Sequence, residues 1–179
     1  MARLLLLVVF FSTTASAQSG DRLSVSGSAT AHAVFGDNAA EIVSAALIAV
    51  DYQSGESDRL GLFAFVSPEG PRTSSLVAVG GAWDILLTPT SLGPYITVGV
   101  AGVHQAGSED LPCRIEDGCF RESYIDRRAF TAIAPVIGVG ARIGLGRGGF
   151  VRADARALVS GTEAGRVRPL FSLGGGVHL

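Results

Sequence analysis

The sequence has 179 residues, of which 47% are apolar and 17% are charged, and its formal net charge is −2. This composition is too hydrophobic for a disordered chain, and a pI of about 5.9 argues against nucleic acid as a partner. The three histidines and two cysteines form no cluster, so we expect no metal site, and no phosphate loop or other cofactor-binding or catalytic motif is present.

The first 17 residues have the pattern of a secretory signal peptide. Arg3 provides a positive start, residues 4–11 are continuously apolar, and Ala15-Ser16-Ala17 matches a signal-peptidase site. The apolar run would reach only about 12 Å as a helix, which is too short for a hydrocarbon core of roughly 30 Å. We therefore expect residues 1–17 to be removed on export and residues 18–179 to form a single domain.

The mature chain shows period-two alternation of apolar and polar residues, interrupted by turn signals, which is typical of β-strands. The pattern is clearest at 23–35, whereas Ser44 and Leu47 blur the second strand and the facing of the third is not determined. The seventh strand follows the glycine-rich turn at 146–149. The predicted strands are 23–35, 41–52, 59–66, 76–88, 94–104, 130–145, a seventh that contains 151–157, and 170–179.

Eight consecutive strands with hairpin-length connections and no helical pattern predict an all-β fold, an antiparallel up-and-down barrel. A soluble lipocalin-like barrel would enclose its apolar face and bind an apolar ligand, whereas a transmembrane barrel turns that face toward lipid. The polar faces are rich in Gly, Ala and Ser, which suits a narrow interior. This composition favours a monomeric eight-stranded transmembrane β-barrel.

Charged residues within the predicted strands are few and nearly balanced in sign. The polar faces carry Glu41, Asp51 and five further charged residues. We expect these five to form a buried ionic network in the periplasmic half of the lumen. We also expect side chains to fill most of the lumen. If both termini lie in the periplasm, the short turns also lie there and the longer loops lie outside. The five network residues are Asp84, Arg142, Arg152, Asp154 and Arg156.

The last strand carries a family resemblance. Ser172, Gly174, Val177 and Leu179 resemble the C-terminal sorting signal of bacterial outer-membrane barrels, and the mature chain resembles the small barrels of the outer membrane protein A transmembrane-domain type. This resemblance implies insertion by the barrel-assembly machinery into the outer membrane of a Gram-negative cell. The expected partners are then outer-membrane lipid and lipopolysaccharide.

The long connection at 105–128 contains Cys113 and Cys119, which we expect to form a disulfide because the protein is exported. It contains both acidic and basic residues, so it is either a solvated loop or a surface for an external partner. The overall interpretation is a structural or surface-interaction protein without enzymatic activity.

A lipid A-modifying barrel enzyme is a further alternative, because such enzymes use a serine and a histidine near one rim. His32 and His104 lie near strand ends, but neither occurs in a His-x-Ser pattern. We therefore interpret both as rim residues. Aromatic residues at strand ends give a partial girdle, with Phe35, Tyr52, Trp83 and Phe171 on the lipid side and Tyr95, Phe130 and Phe150 on the lumen side.

Overall fold

The computed structural model describes residues 23–35, 40–54, 57–69, 74–88, 93–106, 129–146, 148–160 and 166–179. No helix among these residues is long and apolar enough to cross a membrane. The secondary structure consists of β1 (Leu23–Phe35), β2 (Ala40–Gln53), β3 (Asp58–Ser67), β4 (Leu76–Leu86), β5 (Gly93–Gln105), β6 (Phe130–Gly146), β7 (Gly149–Ser160) and β8 (Arg166–His178).

The eight strands close into one barrel, because each pairs antiparallel with the next and β8 pairs with β1. Closure satisfies the backbone groups that an open edge would leave unpaired. The strands are strongly staggered. A path that starts at Gln53 of β2 and moves from each residue to its partner on the next strand returns to β2 at Val43 after one circuit. The strands are therefore tilted relative to the barrel axis. The predicted eight-stranded antiparallel barrel is confirmed.

The outer surface of the barrel is apolar. Ile42 and Ile133 are each 77% exposed, although in a soluble protein side chains of this size are usually buried. Most of the charged strand side chains that the structure describes are buried on the opposite face, namely Asp51, Arg59, Asp84, Arg142, Arg152, Asp154, Arg156 and Arg168. Other large apolar side chains on the outer surface include Ile48, Leu60, Leu62, Val66, Val79, Val98, Val100, Ile137, Val139, Ile143, Leu145, Phe171 and Leu173.

The two ends of the barrel differ in their connections. One end, here called the turn end, carries Leu23, Leu179 and the connections that follow β2, β4 and β6. The opposite loop end carries the connections that follow β1, β3, β5 and β7, including the longest one between Gln105 and Phe130. At the turn end, Gly146 and Gly148 have positive φ, which glycine adopts without steric cost, and the β6–β7 register shifts between Gly144 and Gly146.

Several strand boundaries differ from the predicted ones. β4 ends at Leu86 rather than at residue 88, and β8 begins at Arg166 rather than at residue 170. The first residues of β8 precede Pro169. Because proline usually marks the edge of a strand, the sequence predicts a later start for this strand. The facing of β3 is now determined: Arg59, Phe63 and Phe65 point inward, and Leu60 and Leu62 point outward.

The interior is not polar throughout, because its loop-end half contains large apolar side chains. Leu47 disturbs the alternation of β2 because it points inward and packs in an apolar cluster, the apolar layer. Beside this layer, β1 contributes a row of inward hydroxyl groups. The apolar layer comprises Leu47, Ala49, Phe63, Phe65, Leu76, Ala78, Ala101, Val103, Ala134, Val136, Leu158 and Leu170.

Candidate functional site

The turn-end half of the lumen contains a connected set of charged and polar side chains, here called the polar layer. Seven strands, β1 to β7, supply its members at inward-facing positions, so the period-two alternation aims them at the barrel axis. All are nearly inaccessible to solvent. The polar layer comprises Ser24, Ser26, Asp51, Arg59, Asp84, Tyr95, Thr97, Arg142, Arg152, Asp154 and Arg156.

Arg152 and Asp154 form the best-satisfied ion pair of the polar layer. Arg152 donates from Nε to Asp154 Oδ2 at 2.8 Å and from Nη2 to Oδ1 at 3.1 Å, which is the bidentate geometry that a guanidinium favours. Asp154 also accepts from Arg156 Nη2 at 3.5 Å. The Asp154 carboxylate thus binds the guanidinium groups of Arg152 and Arg156, which both belong to β7.

Asp51 is the second carboxylate at the centre of the layer. It is ion-paired with Arg142, and it also accepts from Arg152 Nη1 at 3.3 Å. Two serines of β1 complete the arginine contacts: Ser24 accepts from Arg142 at 3.2 Å and Ser26 from Arg152 at 3.1 Å. The network therefore links β1, β2, β6 and β7 across the lumen.

Tyr95 of β5 joins this network through its hydroxyl group, which donates to Asp154 and accepts from Arg152 Nη2 at 3.2 Å. The ring fits only because residue 140 is glycine, since a Cβ there would lie 2.5 Å from the Tyr95 oxygen. The lumen parity assigned to Tyr95 and Phe150 is found in the structure, where each is 1% exposed.

Four of the five network residues predicted from the sequence lie together in ion pairs, while Asp84 does not. Asp84 Oδ1 instead accepts from the Thr97 hydroxyl at 2.7 Å. Asp51 takes the place expected for Asp84, because the barrel stagger brings it opposite Arg142 and Arg152. Arg59 was missed, since the alternation of β3 did not determine which of its faces is inward.

The loop-end side of the lumen carries a smaller polar group. Arg168 Nη2 donates to Gln105 Oε1 at 2.6 Å, and its Cζ lies 5.5 Å from the Phe130 ring centroid. His32 Nε2 lies 2.7 Å from Ser67 Oγ, and both side chains are 1% exposed. His32 is thus buried rather than a rim residue, whereas His104 is exposed and bonds to the Thr131 hydroxyl at 2.9 Å.

The residues of the proposed sorting signal lie in β8 and beside its end. Ser172 is buried and hydrogen-bonded to Thr30 at 3.0 Å. Gly174 packs so closely on β1 that any Cβ would collide with the backbone there. Leu179 donates its backbone N–H to Leu23 at 2.9 Å. These residues therefore help β8 to pair with β1 and close the barrel. This structural role is compatible with a role as a sorting signal.

The interfacial aromatic residues predicted on the lipid side are only partly described. Tyr52, Trp83 and Phe171 are 44–57% exposed on the outer surface, and Trp83 donates from Nε1 to Asp58 at 3.0 Å. Register places Tyr52 beside Leu60, and Leu60 beside Trp83, at the turn end. The side chain of Phe35 lies outside the described residues, as do the predicted signal peptide and Cys113 and Cys119 in the loop at 105–128.

The described residues contain no group of three or more His, Cys, Asp or Glu that could hold a metal ion. The largest of the fully buried side chains in the interior are Arg59, Arg142, Arg152, Tyr95 and Phe65. The ion pairs and hydrogen bonds of the polar layer connect several strands across the lumen and stabilise the barrel.

No protein-family model matches the chain, and no curated protein matches it by sequence. Solved structures match it over nearly their full length. Neisserial surface protein A shows a TM-score of 0.65 at 15% identity, over 88% of this chain and 97% of the other. Ail, the attachment invasion locus protein of Yersinia pestis, solved with the heparin analogue sucrose octasulfate, shows 0.60 at 12% identity, over 88% and 98%.

The N-terminal β-barrel domain of OprF from Pseudomonas aeruginosa gives a TM-score of 0.57 at 14% identity, over 87% of this chain and 97% of that domain. At these identities the comparison concerns the fold. The three structures are eight-stranded outer-membrane barrels, and the chain shares their closure and strand number. The chain therefore has the fold of an eight-stranded bacterial outer-membrane β-barrel, as its sequence predicts.

Proposed function

We propose that this chain is an integral outer-membrane β-barrel with a structural or surface-interaction role and a largely filled lumen. The observation that carries the proposal is the distribution of side chains: large apolar groups cover the outer surface, while arginines and aspartates are enclosed. Lipid outside and a satisfied polar interior explain this arrangement, whereas water outside would leave the apolar surface solvated. The soluble lipocalin-like alternative is disfavoured for the same reason.

Trp83 allows a direct test, because it is the only tryptophan and it is 45% exposed on the outer surface near the turn end. We expect the protein folded in vesicles to show fluorescence quenching by lipids brominated on their acyl chains and little quenching by aqueous iodide. In the W83F background, tryptophan at Ile137, midway along β6, should be quenched more strongly by bromines deep in the chains. Iodide quenching at both positions would contradict membrane insertion.

The orientation and the partners follow from the proposed location. The turn end would face the periplasm and the longer loops the exterior, which is the usual arrangement in these barrels. Lipid and lipopolysaccharide would contact the outer surface, and the barrel-assembly machinery would recognise Ser172, Gly174, Val177 and Leu179 during insertion. The loop at 105–128, stiffened by a Cys113–Cys119 disulfide, would provide the surface for an external partner. Its mixed charge supports an interaction with a polar partner.

We also propose that the barrel has no hydrolytic activity, although His32 and Ser67 lie at the 2.7 Å distance of a base and nucleophile pair. Both are buried, and His32 Nδ1 has no hydrogen-bond partner in the described part of the chain to orient the ring. A fluorophosphonate probe should therefore leave Ser67 unmodified in the folded protein, as measured by peptide mass spectrometry. Labelling that is lost in the H32A variant would instead support a lipid A-modifying enzyme.

A further inference from the structure

Arg59 of β3 carries a buried charge whose hydrogen-bonding groups are unused. The residue is 2% exposed, and none of its three side-chain nitrogens has a partner among the described residues. A guanidinium remains protonated in proteins and presents five N–H donors. Burial of such a group without partners is costly, so each unsatisfied donor requires a ligand, a water molecule or an ion.

The neighbouring side chains do not supply the missing acceptor. Asp84 lies opposite Arg59 in the β3–β4 register, but it forms no ion pair with Arg59 and binds the Thr97 hydroxyl instead. The Cζ of Arg59 lies 4.9 Å from the centroid of the Tyr95 ring. This cation–π contact stabilises the charge, but the ring face offers no lone pair to the N–H donors.

The charges of the polar layer do not balance. Its described side chains include four arginines, at 59, 142, 152 and 156, against three aspartates, at 51, 84 and 154. The ion pairs engage Asp51 and Asp154 with the other arginines and leave Arg59 outside. Arg142 also has an unpaired Nε, and its charge opposes that of Arg59. The charges of Asp84 and Asp51 favour the Arg59 guanidinium, but neither carboxylate accepts a hydrogen bond from it. Two guanidinium groups that repel each other in a low-dielectric interior favour an anion beside them.

We propose that the polar layer binds one small monovalent anion of the halide class, chloride in the natural setting, against the guanidinium of Arg59, with Arg142 Nε–H as a second donor. A single negative charge cancels the surplus of one positive charge, which a water molecule would not do. Because β3 begins at Asp58, Arg59 lies near the turn end of the barrel. The proposal concerns the interior and goes beyond the role proposed above.

Thermal unfolding at constant ionic strength tests the site in the full chain folded in detergent, with chloride replaced stepwise by gluconate. We expect the unfolding temperature to rise with chloride concentration. R59M, which retains an apolar stem against Tyr95, should weaken the apparent chloride affinity about tenfold or more, because it removes the charged donors. R168Q removes the same charge at the loop end and should retain the dependence. Absence of a chloride effect in the unsubstituted protein, or an equal effect in R59M, would overturn the proposal.

A second measurement does not depend on the stability of a variant. Crystals of the unsubstituted protein grown in bromide should show an anomalous peak within hydrogen-bonding distance of the Arg59 guanidinium. Density at that position without an anomalous signal would mean that the donors bind water only, and the anion site would then be ruled out. The same crystals would show whether Arg142 Nε contacts the ion.

Discussion

At the scale of single residues, Asp154 is the carboxylate on which the polar layer depends most. It binds Arg152 through two hydrogen bonds, contacts Arg156 and accepts from Tyr95. D154N keeps the shape of the side chain but removes the negative partner of Arg156 and the bidentate partner of Arg152, which keeps only its contact at 3.3 Å with Asp51. We expect the free energy of unfolding to fall by about 3 to 5 kcal/mol, measured by urea titration of the protein folded in vesicles.

The control for this prediction is E69Q, because it also removes one negative charge, but from an exposed side chain at the loop end. Exposed charges contribute little to stability, so E69Q should leave the urea midpoint nearly unchanged. If D154N unfolded at the same urea concentration as the unsubstituted protein, the ionic network would not stabilise the barrel.

At the scale of the strands, the alternation of polar and apolar residues predicted which side chains point into the barrel wherever one face of a strand was uniformly polar. In β7, Arg152, Asp154 and Arg156 share a parity, and all three are found inside the barrel. The rule failed where apolar residues occupy both faces. Leu47 and Phe63 point inward because they form the apolar layer, and a periodicity of two cannot distinguish an apolar core from an apolar exterior.

The interior residues that the sequence did not predict were missed for related reasons. Arg59 belongs to β3, and Phe63 and Phe65 lie on the same inward face as Arg59. Leu60 and Leu62 lie on the outward face, so both faces are apolar and polarity does not show which one points inward. Arg168 precedes Pro169 and lies outside the predicted eighth strand, which begins at residue 170. The pairing of His32 with Ser67 depends on strand stagger, which follows from the register of the closed sheet and cannot be read from one strand.

At the scale of the whole molecule, strand number, antiparallel order and closure could all be predicted, because eight alternating segments with short connections leave few other arrangements. The division of the interior into a polar layer and an apolar layer could not be predicted. It requires knowing which inward residues lie at the same height, and tilt brings together residues that are far apart in sequence. The ion pair of Asp51 with Arg142 shows this effect.

The facing of the outer surface is the central claim, and spin labelling along β6 tests it most directly. Single cysteines at 133, 137, 139 and 143, in a C113S/C119S background, would carry nitroxide labels in the protein folded in vesicles. The account predicts high accessibility to oxygen and low accessibility to an aqueous nickel complex, with the greatest contrast near position 137. High nickel accessibility at all four positions would show that this face contacts water, and the outer-membrane assignment would then be wrong.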